Sequence, residues 1–499
     1  MAEPVGEQEL GYERLGAPKL SLLDCVAQSV GFIGPVFSSA FVIPLIVGVI
    51  SATGKGAGGA APLAVLIAAI GIFALGWIVA TFARRVHAAG SLYDYVTTSL
   101  GGNLGVASGW LYYTGTIALT AGLIVLMGGY LHDTLDAEFH HPIMAGWLWS
   151  LVIALGIFLI LYLGVQISTR VQLTLALVSV AVVLAFFLYV IAKLGSANDV
   201  AKAFNPNSSP DGWAGVLFGV LYGVLIFVGF ETAANLAEET AEPKRQIPRA
   251  VLLSVVIVSV FYLIAAYVEV AGFHFDLNAV LSAAAAPLFA LASPSEAGGF
   301  GSTTLVRIME LVVLLDMIAV AVGASVASTR GLFAMARDRR LPKALASVSP
   351  RYGTPLGAIV FLTVIDLLFI AANQWWTSLF ALPPPNPHYF AIFSWASTYG
   401  AFALVVVYAL MSIGAVVDGF AGRDRLTVGL IVAAIVGFAI SAGAIFGAIY
   451  KVPSPTKLAP YYAIVVFVVG LVISFIVKGR EPASQALGDL RSEGAAATS

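Results

Sequence analysis

The sequence predicts an all-α integral membrane protein of twelve transmembrane helices, with helices 1 and 6 broken at matching positions of two five-span halves. Three observations point there. Of 499 residues, 60% are hydrophobic and only 10% charged, whereas soluble domains are about half apolar and about a quarter charged. Apolar runs of about 20 residues, the length that crosses a bilayer, recur along the whole chain. Two of them, five spans apart, carry glycine where a membrane helix should continue.

The runs lie near residues 22–50, 62–86, 104–131, 143–164, 168–193, 212–237, 249–272, 303–336, 355–372, 388–413, 426–450 and 460–478. They divide the chain into a tail (1–21), a first five-span unit (22–193), an outer loop (194–211), a second five-span unit (212–413), spans eleven and twelve (414–478) and a second tail (479–499). Met1–Leu20 holds four glutamates and no apolar core, unlike a cleaved leader. Basic residues set the orientation. With the N-terminus cytoplasmic, the outside receives only Lys55, Lys193, Lys202, Lys451, Lys457 and Arg307 of the chain's 25 Lys and Arg. Both termini are therefore expected in the cytoplasm.

Span one, LLDCVAQSVGFIGPVFSSAFVIPLIVGVI, places Gly31, Gly34, Pro35, Ser38 and Ser39 in its middle. Proline lacks the amide donor and clashes with the preceding turn, and glycine is a poor helix former. Backbone groups freed in lipid need protein, water or ligand partners. Span six repeats the pattern at Gly229, between Phe227, Phe230 and Glu231. Paired interruptions in two halves point to an inverted-repeat secondary transporter. Exposed amides favour a carboxylate and exposed carbonyls a cation, and a free amino acid carries both groups. Ile33, Gly34, Pro35, Ser38, Ser39, Phe227, Gly229 and Phe230 are therefore the expected substrate-binding residues. A packing role for the two glycines is the structural alternative.

Three motifs carry a resemblance. GFETAANLAEETAEPKRQIPRA joins spans six and seven, AAGSLYDYVTTSLGG follows span two, and STRGLFAMARDRRLP ends span eight. Together and in this order they resemble the amino acid–polyamine–organocation permeases, although the proline usual ahead of the second motif is absent. The resemblance implies a LeuT-type fold, a five-plus-five inverted repeat with two further helices, and amino acid transport by alternating access. A polyamine or organocation carrier, or an exchanger, is the alternative within the family. The same likeness puts Tyr112, Tyr113 and Trp395 on the cavity side of spans three and ten.

Glu231, just past the break in span six, is costly to bury. It reads either as a brace to a neighbouring helix or as a proton-linked gate. Glu238 and Glu239 are expected to pair with arginines of inner loops and close the inner gate. Pro248 is expected to open span seven. Asp316 and Asp366, inside spans eight and nine, are functional candidates as intramembrane acids, and Glu310 is expected to pair with Arg307 one turn away.

The coupling ion is open between proton and sodium. Some family members resemble one another in a span-five lysine at a sodium position; here Ser179 aligns there. Ser325, Ser328 and Thr329 share one helix face, and Ser328 and Thr329 are the candidate sodium ligands, since such oxygens suit a hard cation. Small hydroxylated residues also favour helix packing. No further cofactor is implied.

Other classes fit poorly. A net charge of −2 lacks the basic face that nucleic acid calls for, and one cysteine makes no intramolecular disulfide. The run GVISATGKGAGG has the wrong spacing for a phosphate loop. The six histidines fall in loops or at span ends, away from any buried catalytic cluster. No repeated filter loop suggests a channel. The expected partners are an amino acid and membrane lipid, and the oligomeric state is not legible. The orientation is testable by single-cysteine labelling after replacement of Cys25. Probes at Lys202 and His388 should react from outside intact cells, those at Arg340 and Arg423 only from inside; outside labelling at position 340 would overturn it.

Overall fold

The computed structural model describes residue 15 and residues 19–48, 56–283, 287–378, 387–449 and 456–477. The tail 479–499, most of the tail 1–21, and Lys55 lie outside the described residues. Among those described the fold is helical, with no strand and only the isolated bridges Leu20–Thr240 and Pro294–Gly301. Among the described residues ten helices are long and apolar enough to cross a membrane, which makes the chain an integral membrane protein. They are Leu22–Phe41, Gly58–Ala83, Gly102–Phe139, Gly146–Leu163, Val165–Ala197, Pro243–Ala271, Leu356–Trp375, His388–Phe420, Val428–Ile449 and Ala459–Ile476. These answer to the sequence-predicted spans one to five, seven and nine to twelve.

The other two expected spans take different forms. Span eight is one 35-residue helix, Thr303–Arg337, buried at every residue from Ala319 to Ala336. Span six is a 13-residue helix, Trp213–Leu225, which gives way to turns and then to a 3₁₀ stretch, Thr232–Glu239. Burial sorts the bundle into layers. The most apolar windows of spans one and three are 78% buried, against 22% for span four and 28% for spans nine and twelve. Spans one, three, six and eight form the centre. Spans four, nine and twelve present Leu155, Leu159, Val364, Leu368 and Val465 outward, as helices facing hydrocarbon should.

Close crossings use small residues. Spans three and ten meet at Gly115 and Gly400, where a Cβ on Gly115 would lie 2.8 Å from that of Ala403. Span seven departs from its expected start. Its helix begins at Pro243, which takes the first-turn position, and Pro248 lies inside the helix. Pro248 removes the amide that would bond Lys244 O, one hydrogen bond in a 29-residue helix.

Charged contacts cluster at the two ends of the bundle. At one end Arg85 (2.7 Å) and Arg423 (3.2 Å) share Asp418. At the other, Arg307 pairs with Glu138 of span three at 2.8 Å, so its expected partner, Glu310, is displaced by a carboxylate on a neighbouring helix.

Candidate substrate site between two broken helices

Span one opens with a capping box between Ser21 and Asp24 and runs to Ile33. Gly34 then turns left-handed (φ 62°), and Pro35 starts a second half-helix, Pro35–Phe41. A side chain at Gly34 would be strained, and its Cβ would lie 2.2 Å from Val320 Cγ2. In span six Gly229 takes φ 109°, and a Cβ there would press on the Phe32 ring at 2.8 Å. The breaks pack on one another. Ser29 Oγ of span one donates to the Phe230 carbonyl (2.8 Å) and accepts from the Ala233 amide (3.1 Å). Tyr262 of span seven donates to the freed carbonyl of Ile226 at 2.8 Å. Hydroxyls thus satisfy much of the backbone that unwinding exposes.

The amides of the second half-helix find a carboxylate from the chain itself. Asp316 Oδ2 accepts from Val36 N at 3.0 Å and Phe37 N at 2.8 Å. Sequence reasoning marked Asp316 only as an intramembrane acid, because its partner sits on a helix far away in the chain. Asp366 is likewise buried on span nine, and its Oδ1 has no hydrogen-bond partner.

Glu231 is fully buried and held by two phenols, Tyr112 of span three at 2.6 Å and Tyr408 of span ten at 2.7 Å. One carboxylate therefore ties three spans together at the hinge of span six. Tyr408, absent from the sequence-level candidates, also stacks obliquely on Phe230 with ring centres 5.3 Å apart. Phe227 meets Tyr262 edge-on at 5.2 Å.

Beyond the breaks lies a charged latch built from all three sequence motifs. Arg330 grips Glu239 through Nε (2.5 Å) and Nη2 (3.2 Å), both side chains buried. Arg337 makes a two-pronged contact with Glu238 at 2.9 and 2.7 Å, and Glu238 also accepts from Ala89 N at 2.9 Å. The partners are helix arginines of span eight, not arginines of inner loops. Tyr93 donates to Asp338 at 3.1 Å; burial, then the nearby Asp338 charge, push its hydroxyl well above the usual range, so it remains a donor. Tyr113 belongs to this latch. Its hydroxyl donates to Gly90 O at 2.6 Å and accepts from Asn235 at 3.4 Å.

The opposite end is closed by rings. Phe37 meets Phe393 of span ten and Phe41, each at 5.7 Å, and Phe41 meets Tyr130 and Phe289, both at 6.4 Å. Trp395 turns away from this group: it stacks on Tyr399 at 5.6 Å and lies edge-on to Tyr462 of span twelve. Phe393, two residues earlier, is the span-ten aromatic at the break. All residues from Gly31 to Ala40 and from Ile226 to Ala237 are buried.

The hydroxyls expected to hold sodium all donate within the protein, and their oxygens keep lone pairs. Ser328 Oγ lies within hydrogen-bond distance of Thr116 Oγ1 of span three (2.8 Å) and of Ala324 O of its own helix (2.7 Å), which share its one proton. Ser325 and Thr329 donate to carbonyls of their own helix. Ser179 donates to Val312 O of span eight. Two span-five residues reach span one: Thr169 donates to Asp24 Oδ1 at 3.1 Å, and Gln172 donates to Gln28 Oε1 at 3.1 Å, while Gln28 donates to Gly323 O at 2.9 Å.

Two glycine breaks pack together between a ring cluster at one end and a charged latch at the other. The amino acid permease family profile matches residues 32–483. The chain belongs to the amino acid permease family. It is thus a member of a transporter family and not an enzyme. Among its relatives, the branched-chain amino acid permease BcaP of Bacillus subtilis (strain 168) is 25% identical over 74% of this chain and 76% of its own length. The methylthioribose transporter of the same organism is 26% identical over 68% and 71%. The lysine-specific permease LysP of Lactococcus lactis subsp. cremoris (strain MG1363) is 27% identical over 60% of each chain.

The latch makes a graded prediction for thermal stability. Arg330→Ala strands a buried Glu239 and should cost about 3–5 kcal/mol. Arg337→Ala should cost less, because Glu238 is 16% exposed and keeps the Ala89 amide. Arg245→Ala removes an exposed pair and should change stability by roughly 0–1 kcal/mol. Equal losses for Arg330→Ala and Arg245→Ala would contradict the latch.

Proposed function

We propose that this protein is a secondary active transporter of amino acids in the plasma membrane, working by alternating access, with both termini cytoplasmic. Twelve spans in a five-plus-five inverted repeat, followed by two helices, form its frame, and the residues flanking Gly34 and Gly229 hold the substrate. The single observation that carries this reading is the pair of left-handed glycine breaks packed on each other between two differently built closures. Closure by rings at one end and by ion pairs at the other lets each open in turn, because each is a separate set of contacts. The relatives named as amino acid permeases support the substrate class.

The coupling ion in this reading is the proton, with Glu231 as its carrier. The carboxylate sits at the hinge and binds spans three and ten through Tyr112 and Tyr408. Protonation would weaken two charge-assisted hydrogen bonds at once and so loosen span six from its neighbours.

Uptake of labelled amino acids into proteoliposomes, with sodium and pH gradients varied separately, tests it. Uptake should proceed without sodium under an inward proton gradient. Glu231→Gln keeps the shape and fixes neutrality, so it should preserve exchange while abolishing accumulation. Strict sodium dependence at constant pH would overturn the proton assignment, and no flux of any amino acid would overturn the function.

A further inference from the structure

Span seven ends beside a carboxylate that nothing holds. Glu269 lies in the last turn of Pro243–Ala271, it is fully buried, and neither of its oxygens has a hydrogen-bond partner. Glu231, by contrast, has two phenols and Asp316 two amides. Residues 265–272 are buried on every face of the helix. A helix C-terminus disfavours negative charge, and an ionised carboxylate buried without partners costs far more than a neutral carboxyl. Charged neighbours do not relieve it. Of the elements packed on span seven, Pro35–Phe41, Ile43–Val47, Gly58–Ala83 and Pro287–Ala292 carry no titratable group. Span five brings Lys193, which lies over the Tyr189 ring at 5.5 Å. Lys202, on the short helix Val200–Ala203, lies over the Phe275 ring at 4.8 Å. Asp199 and Asp276 cap their own helices, and Tyr267 donates to Asn198. Asp24, Cys25, Arg170, Glu238 and Glu239, on other packed elements, belong to the latch end.

The end of span seven is tied to the ring closure. Three residues past Glu269, a Cβ on Gly272 would lie 2.7 Å from Leu291 Cδ2 of the helix Pro287–Ala292. That same helix sets Phe289 against Phe41. The turn leaving span seven holds two left-handed residues that bear side chains, exposed His274 (φ 54°) and Phe275 (φ 61°), a strained arrangement of the kind that gathers at switch segments. Lifting Pro287–Ala292 to open the ring end would free the last turn of span seven and admit water to Glu269. Closing again means burying that carboxyl again.

We propose that Glu269 is a proton-binding site that conditions the ring closure: the closure forms only when this carboxyl carries a proton taken from water on the outer side. The carboxylate gains one O–H bond as Pro287–Ala292 settles, and returns the proton to water when that helix lifts. The closed state thus holds one proton more than the open state, so lower pH favours closing and higher pH favours opening. This rests on the transport reading above and adds to it a second proton besides that of Glu231, bound elsewhere and read by a different movement.

The test is double electron–electron resonance on the full-length protein in nanodiscs, without substrate, from about pH 5 to about pH 9, a range that spans exposed and buried carboxyls. With Cys25 replaced, spin labels on Ala137→Cys of span three and Ser295→Cys, just past Pro287–Ala292, report the gap; both positions are exposed. In wild type the open-to-closed ratio should grow with pH by up to about tenfold per unit, the limit for one proton. Glu231→Gln should keep this response. Glu269→Gln should lose it and stay closed, and Glu269→Asp, which keeps the acid, should retain it with a displaced midpoint. A wild-type gap that ignores pH overturns the inference, and that measurement needs no variant to fold. A response that survives Glu269→Gln, or that Glu231→Gln alone removes, overturns it too. Proton-driven uptake with a pH-blind gap would leave the transport reading standing without this site. A gap whose pH response is lost in Glu269→Gln, in a protein that moves no amino acid, would do the reverse.

Discussion

Unwound backbone inside a membrane has to find its hydrogen bonds within the protein, and that constraint organises the centre of this molecule. Gly34 and Pro35 end the first half of span one, and two amides of the next half-helix are left without carbonyls. Asp316, reaching across from span eight, takes both. Span eight must lie where that carboxylate can reach, and Asp316 is buried with the stretch Ala319–Ala336 that follows it. Ser29 and Tyr262 do the same service for span six, and by doing so they hold the two breaks face to face.

Each closure of the centre follows from chemistry suited to its place. Near the ring end, Phe37 meets Phe393 edge to face and Phe41 at a tilt, contacts with no hydrogen bonds to break. At the latch end, Glu238 and Glu239 close on Arg337 and Arg330 with directional, charge-assisted contacts. Glu231 stands between the two, bonded to helices on either side, so a change in its charge is felt by both.

The breaks were legible in the chain because glycine and proline act locally: Gly34 and Gly229 adopt the left-handed conformations that their residue type suggests. The motifs were legible as segments, and their convergence was not. Ala89, Glu238 and Arg337 lie on three separate stretches, and only the fold joins them. Side-chain direction was the hardest to read. Trp395 and Phe393 are two residues apart on one helix, about 200° of turn, so opposite faces were at stake and composition could not choose between them. The same holds for Ser328, which faces Thr116 of span three, and for Arg307, whose better partner Glu138 belongs to another span. Pro248 misled because a second proline, Pro243, already filled the first-turn position.

The arrangement at the span-one break is best tested by an electron cryo-microscopy structure in lipid with a bound amino acid, at a resolution that separates ammonium from carboxylate. The account predicts Asp316 still bonded to the amides of Val36 and Phe37, with the ligand between the Gly34 and Gly229 breaks. A ligand carboxylate seated on those two amides, with Asp316 turned aside, would contradict it.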